Sequence, residues 1–342
     1  MSSNDSFDSV MLKITQGLTG NPETDFEYLG KTCQKYNDHP MAKEIALACG
    51  RLMYDMLPDD KKDEMNRAFA NDSLGINETL EEIRFNIFKK NYDKALDMAE
   101  QLVTKLEKAN MFEDDSVSEY RDFGEYFEQV LYRFIYKPEK TLRRSSIPYA
   151  EIYLLYGSLL VEFNKLAQAR AALKKGLKWN PINFQIMSEY METFKMEGDL
   201  NMFFDLTIDA FRIAYRPESI ARCYRNLGYY FIEKKKYSEA TAVYILSTTF
   251  DKQSQQAQSE LYYISKVAGD IPEPKPADIE KYSKKYGFPF GAHKDIIGLS
   301  NAYGEHFKKK GDTESARYFY EILYGVTHND KIKEILDDLK AN

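Results

Sequence analysis

The chain has 342 residues, 43% of them hydrophobic, with 26 Tyr and 21 Phe, a single Trp, and only 17 Gly and 11 Pro. That apolar content is enough for a continuous core and excludes a disordered chain, while so few breakers exclude a many-turned β architecture. A formal charge of −7, with the basic residues scattered among the acids, argues against general attraction to phosphate backbones, so no nucleic-acid partner is expected.

Residues 1–75 read as a helical N-terminal region without a convincing repeat. The start, MSSNDSFDSV, has neither a basic nor an apolar leader region. No apolar run approaches the roughly 18 residues that cross a bilayer, so a soluble, cytoplasmic protein with no membrane insertion is expected. Cys33, Cys49 and Cys223 are odd in number and form no CxxC pair, which fits buried or inert thiols in a reducing compartment better than a disulfide frame. Gly30-Lys31-Thr32 imitates the tail of a phosphate-binding loop, but Asp25 stands where the leading glycine is required and no strand precedes it. Met41–Leu57 is an apolar-rich helix ended by Pro58.

Residues 76–149 read as degenerate repeat-like helices followed by an aromatic-rich helix. The unit from 76 places Tyr92 at a turn and Ala95 and Ala99 on its second helix. Residues 112–136 are expected to be one long helical region whose many Tyr and Phe form core, stopped near Pro138.

Residues 150–254 hold the clearest repeats. With residue 150 as the first position, Tyr153, Tyr156, Gly157 and Leu160 form one helix face, Leu166 marks the turn, Ala169, Leu173 and Gly176 follow, and Pro181 closes the unit. From 221, Tyr224, Leu227, Gly228, Phe231, Tyr237, Ala240 and Tyr244 fall in the same places. Residues 184–217 form a degenerate unit in which Met191 and Phe203 replace small residues, implying looser packing there. Residues 255–296 are a further degenerate unit. In it, IPEPKP (271–276) enforces extended chain, a short helix covers Asp278–Tyr286, and the loop Gly287–His293 tucks Phe288 and Phe290 against the helices. Residues 297–342 supply a last unit (Tyr303, Gly304, Phe307, Ala316, Tyr320) and a capping helix with Ile332, Ile335, Leu336 and Leu339 inward.

Ala95, Ala169, Ala240 and Ala316 lie 74, 71 and 76 residues apart, two repeat lengths plus a few residues each, so strong units should alternate with degraded ones. Small residues let helices approach while Tyr, Phe and Leu fill the seam, and a mid-helix Gly costs about 1 kcal/mol relative to Ala, so its recurrence points to a packing need. Lys234–Lys236 and Lys308–Lys310 read as solvated helix ends, where cations suit the dipole.

This pattern resembles the tetratricopeptide repeat and, along most of the chain, bacterial tetratricopeptide proteins. The resemblance implies an all-α αα-superhelix, a tetratricopeptide-like solenoid with an irregular helical N-terminal region and a C-terminal capping helix. It further implies a scaffold that binds a protein or peptide on a concave face lined by the first helix of each pair. The positions so implied include Glu151, Leu154, Leu155 and Ser158, then Gln185, Ser188, Glu189 and Glu192, then Arg222, Arg225, Asn226 and Tyr229, and finally Asn301, Ala302 and Glu305. Arg222, Arg225, Asn226 and Tyr229 also form an i, i+3, i+4, i+7 stripe of hydrogen-bonding groups suited to a partner's carboxylates. The competing role of these arginines is to pair with Glu189 and Glu192. The two-carboxylate clamp of chaperone-binding relatives is mostly missing, since Leu154, Ser158 and Glu189 occupy its places.

No motif for a nucleophile, metal or nucleotide occurs, the four histidines stand apart, and pairs such as Glu81/Glu82 and Asp114/Asp115 read as solvated, so no enzyme, cofactor, catalytic residue or metal is expected. Two further readings remain: a regulatory sensor that binds a short signalling peptide with residues 1–75 as its effector, and an enzyme whose site is assembled between repeats.

Overall fold

The computed structural model describes residues 6–58, 61–62 and 75–341, so parts of the 1–75 region lie outside the described residues. Helices α1 (Phe7–Gln16), α2 (Pro22–Gln34) and α3 (Ala42–Asp55) form a bundle with its own core of Val10, Ile14, Leu29, Ile45 and Cys49. Asn21 accepts from the Glu23 N–H at 3.0 Å and Pro22 opens α2, so that helix start is written locally. Asp25 is buried and accepts from the Thr19 and Gly20 N–H groups, both at 2.8 Å, which makes it a turn brace. Cys49 and Cys223 are fully buried; burial pushes the Cys49 thiol up to about 11, with neighbouring Cys33 adding to the shift.

Helices α4 (Ile76–Phe88) and α5 (Tyr92–Ala109) pair around Ala95 and Ala99, and α5 then packs directly on α7 (Tyr149–Glu162). The 74-residue gap between Ala95 and Ala169 is therefore one repeat plus an insertion, not two repeats. The insertion also corrects the expected long helix over 112–136. Strand β1 (Ser118–Arg121) pairs in parallel with β2 (Thr141–Arg144), and only α6 (Tyr126–Tyr136) between them is helical. The cause lies in Asp114 and Asp115, which are not simply solvated. Asp115 accepts from the Val117 and Ser118 N–H groups and Asp114 from that of Tyr120, all at 2.8 Å, so side chains take the donors a helix would use. Phe123, Phe127 and Tyr132 are core as expected, but Tyr126, Phe134 and Tyr136 are exposed.

From α7 the chain stacks through α8 (Leu166–Trp179), α9 (Phe184–Glu197), α10 (Leu200–Ala210), α11 (Pro217–Glu233), α12 (Tyr237–Phe250) and α13 (Gln255–Ala268), each packed on the one before it. The architecture is an all-α αα-superhelix of tetratricopeptide-like helix pairs. The register is visible in the turns. Lys90, Asn164, Lys235 and Gly311 are all left-handed, each five residues before Ala95, Ala169, Ala240 or Ala316. In the degenerate unit Gly198 is left-handed five residues before Phe203. The N–H after each left-handed residue returns to a carbonyl five back, as in Lys165 to Leu160 and Lys236 to Phe231, both at 2.8 Å. That closure satisfies carbonyls the helix end would otherwise orphan. Met191 and Phe203 are fully buried where small residues are usual.

After α13 the path changes. Helix α14 (Pro276–Tyr286) starts on a proline and packs on α12. The loop that follows is anchored by Tyr224, whose hydroxyl accepts from the Gly291 N–H and faces the Pro289 and Gly291 carbonyls at 2.8 and 2.9 Å. Phe288 is buried against the Tyr224 ring, whereas Phe290 is half exposed rather than tucked in. Helices α15 (Lys294–Lys310) and α16 (Thr313–Thr327) then turn back along the edge of the stack instead of extending it. Arg212 pairs with Asp295 at 3.2 Å, the Phe127 N–H donates to the Tyr318 hydroxyl at 3.2 Å, and Phe127 and Phe319 rings meet at 6.1 Å. Helix α17 (Asp330–Ala341) caps this pair through Leu336, with Ile332, Ile335 and Leu339 partly buried.

Candidate functional site

The first helices of successive pairs, α7, α9 and α11, carry the polar residues singled out in the sequence. Ser158 on α7 stands beside Glu189 on α9 and favours its charged form. Burial raises the Glu189 carboxyl above its ordinary range; Arg222 on α11 opposes that shift and Glu192 adds to it. Arg222 lies 4.0 Å from Glu192, which also accepts from Lys195 at 2.9 Å. Ser158, Glu189, Glu192 and Arg222 are thus brought together as one chain of charges and dipoles across three helices, each partly accessible.

The rest of the stripe divides. Arg225 turns away to Asp251 at the end of α12, at 3.0 Å, and is mostly buried, so it ties α11 to α12 rather than facing Glu189 or Glu192. Asn226 is buried and Gln185 is exposed. Ser188 is buried with an oxygen that finds no hydrogen-bond partner. Tyr229 lies edge-on to Phe203 at 6.0 Å, with the Lys195 ammonium 4.8 Å above its ring. Its hydroxyl is shifted upward by burial and then by Glu233, Glu192 and Glu260. Asn301, Ala302 and Glu305 do not extend the stripe, because α15 has left the stack and Glu305 accepts from Tyr320 at 2.6 Å.

Sequence reasoning missed Asp251, Lys195 and Glu260. Lys195 stands at i+3 from Glu192 on the same helix, a spacing that announces an ion pair. Asp251 and Glu260 carried no such signal, since they reach the stripe only through the turn that follows α12. The surface formed is one of paired acids and bases around an aromatic ring, able to accept and donate hydrogen bonds along an extended strip.

Among the described residues no helix is long and apolar enough to cross a membrane, and no group of three or more His, Cys, Asp or Glu stands placed to hold a metal ion.

No family model matches the chain, and no curated protein is similar to it. Eighteen solved chains match. One belongs to the crystal structure of the APC/C hetero-tetramer Cut9-Hcn1, with 13% identity and a TM-score of 0.34 over 99% of this chain and 60% of that one. The chain thus spans about 60% of that protein's length, and a likeness this loose adds nothing to what the helices themselves display.

Proposed function

We propose that the protein is an interaction scaffold that binds a segment of a partner protein, extended or helical, along the concave side of α7, α9 and α11. The observation that supports this reading is the continuous Ser158–Glu189–Arg222–Glu192 chain, which joins three successive helices while leaving each group partly exposed. Arg222 and Tyr229 are the anchoring side chains, residue types enriched where binding energy concentrates. Arg225 supports them from beneath. A Glu189→Gln/Arg222→Gln variant should keep its unfolding midpoint and lose the partners that wild type captures and binds after purification. Unchanged partner affinity in an equally stable variant would refute the assignment.

A sensor for a short signalling peptide is the second reading. It draws support from the separate core of α1–α3 and from that bundle's attachment to the insertion by two ion pairs, Arg51 with Asp115 and Arg143 with Asp55. Such a peptide would fill the same groove, and a thermal-shift screen with short peptides tests it, because a groove ligand raises the midpoint.

A further inference from the structure

A cavity of about 360 Å³ opens where the C-terminal ends of α5 and α8 meet the start of the insertion, away from the stripe. That volume lies in the range of small-molecule sites, roughly 300–1,000 Å³. Its walls are Phe112, Tyr120, Tyr149, Tyr153 and Trp179.

The walls are held in place. The indole of Trp179 stacks on Tyr149 with centroids 4.0 Å apart and planes 5° from parallel. Tyr149 donates to the Met111 carbonyl at 3.3 Å and Tyr153 to Glu107 at 3.0 Å. Phe112 and Tyr120 rings meet at 5.4 Å. The backbone of the rim is bent through two left-handed residues, Asn110 and Phe112, conformations that non-glycine residues rarely adopt. Pre-set aromatic walls of this kind suit a flat apolar group.

The charges of the rim select among flat ligands. Lys175 neutralises Glu107 at 2.5 Å, and Arg121 neutralises Asp114 at 3.0 Å. Two lining charges are left, Glu113 and Lys178, both exposed and neither engaged by another described residue. They are of opposite sign. A purely anionic ligand would leave Glu113 facing like charge, and a purely cationic one would do the same to Lys178. The carbonyl ends of α5 and α8 add negative potential that suits an ammonium.

We propose that this cavity binds a zwitterionic aromatic α-amino acid, its ring against Trp179, its ammonium toward Glu113 and its carboxylate toward Lys178. This site is independent of the partner-binding stripe.

Trp179 is the only tryptophan in the chain, so emission excited at the red edge, where tyrosine does not absorb, reports on this cavity alone. The full-length protein is titrated with L-phenylalanine, 3-phenylpropionate, phenethylamine and L-leucine, with calorimetry in parallel so that a silent indole is not mistaken for absence of binding. L-Phenylalanine should bind saturably, at least about tenfold more tightly than each of the other three. Lys178→Gln and Glu113→Gln, both at exposed positions, should each weaken phenylalanine by at least about fivefold and leave the unfolding midpoint unchanged. The proposal is overturned by no heat and no emission change at about 10 mM phenylalanine. It is equally overturned if 3-phenylpropionate or phenethylamine binds as well as the zwitterion, or if either folded variant binds like wild type.

Discussion

A Cβ placed on Gly228 would be driven into the ring of Tyr244, sixteen residues later on the facing helix. The same relation recurs at the same separation in the other two strong units, where a Cβ on Gly157 would meet Leu173 at 2.5 Å and one on Gly304 would meet Tyr320 at 2.9 Å. The glycine of each first helix is therefore the floor on which the large residue of the second helix lies. Tyr244 and Tyr320 are buried to within 1% of complete. These contacts lock α7 to α8 and α11 to α12, the two pairs that flank α9 and carry the outer helices of the stripe.

Gly228→Ala should destabilise the protein by about 1–3 kcal/mol, the usual cost of forcing a methyl into a filled core, despite the better helix propensity of alanine. Gly298→Ala, in α15 with nothing within 4 Å of the added methyl, should stabilise by about 0.5–1 kcal/mol. Urea unfolding of the two variants checks both signs. Equal shifts in one direction would mean that the glycine register reflects helix propensity and not contact.

Lys235 closes the turn between α11 and α12 with φ of 57°, where Gly311 stands in the last pair. An L-residue pays about 1–2 kcal/mol for that backbone, and glycine loses about 0.4–1 kcal/mol more entropy on folding. Lys235 is exposed, so little packing is lost with it. Lys235→Gly should therefore raise stability by about 0.5–1 kcal/mol, and Gly311→Lys should lower it. Thermal unfolding of the pair is the measurement, and a destabilised Lys235→Gly would contradict the account of the turn.

Asp122 joins the insertion to the stack by accepting from the Ala150 N–H at 2.8 Å, while its own N–H donates to the Trp179 carbonyl at 3.0 Å. Burial pushes its carboxyl up to about 6, with Glu128 and Glu151 adding to the shift and the Ala150 hydrogen bond and Arg144 opposing it. Glu128, buried between the Gly124 N–H and Asn180, is raised by burial as well. An unfolded aspartate titrates near 4. A carboxyl raised on folding contributes stability that is fully present below about pH 4 and is lost as pH rises through about 6. Asp122→Asn keeps the acceptor oxygen and removes the charge, so its melting temperature should exceed that of wild type at pH 8, by a margin that shrinks as pH falls through about 6 and closes only below about pH 4. A gap that widens toward acid would reverse the sign assigned here.

The sequence carried the repeats because their physics is local. Gly157, Ala169, Gly228, Ala240, Gly304 and Ala316 mark crossings at one spacing, and each crossing lies within a single turn of chain between its two helices. The proline run before α14 and the apolar spacing of α17 were legible for the same reason. The degenerate unit kept its place because Gly198 preserves the turn even though Met191 and Phe203 fill the seam differently.

The insertion was misread as helix because its aromatic spacing is helix-compatible, and the aspartates that divert its N–H groups leave no periodic trace. Part of the polar stripe was legible: Ser158, Glu189, Glu192 and Arg222 meet because their helices are stacked in order. Arg225 does not face outward, since Asp251 lies within reach only once α12 has folded back beside α11. Contacts between residues one repeat apart follow from short turns and can be read from spacing. Those between Phe127 and Phe319, between Tyr224 and Gly291, and across the Trp179 cavity depend on where a long connection returns. That is settled by which apolar surfaces remain uncovered after the pairs have formed.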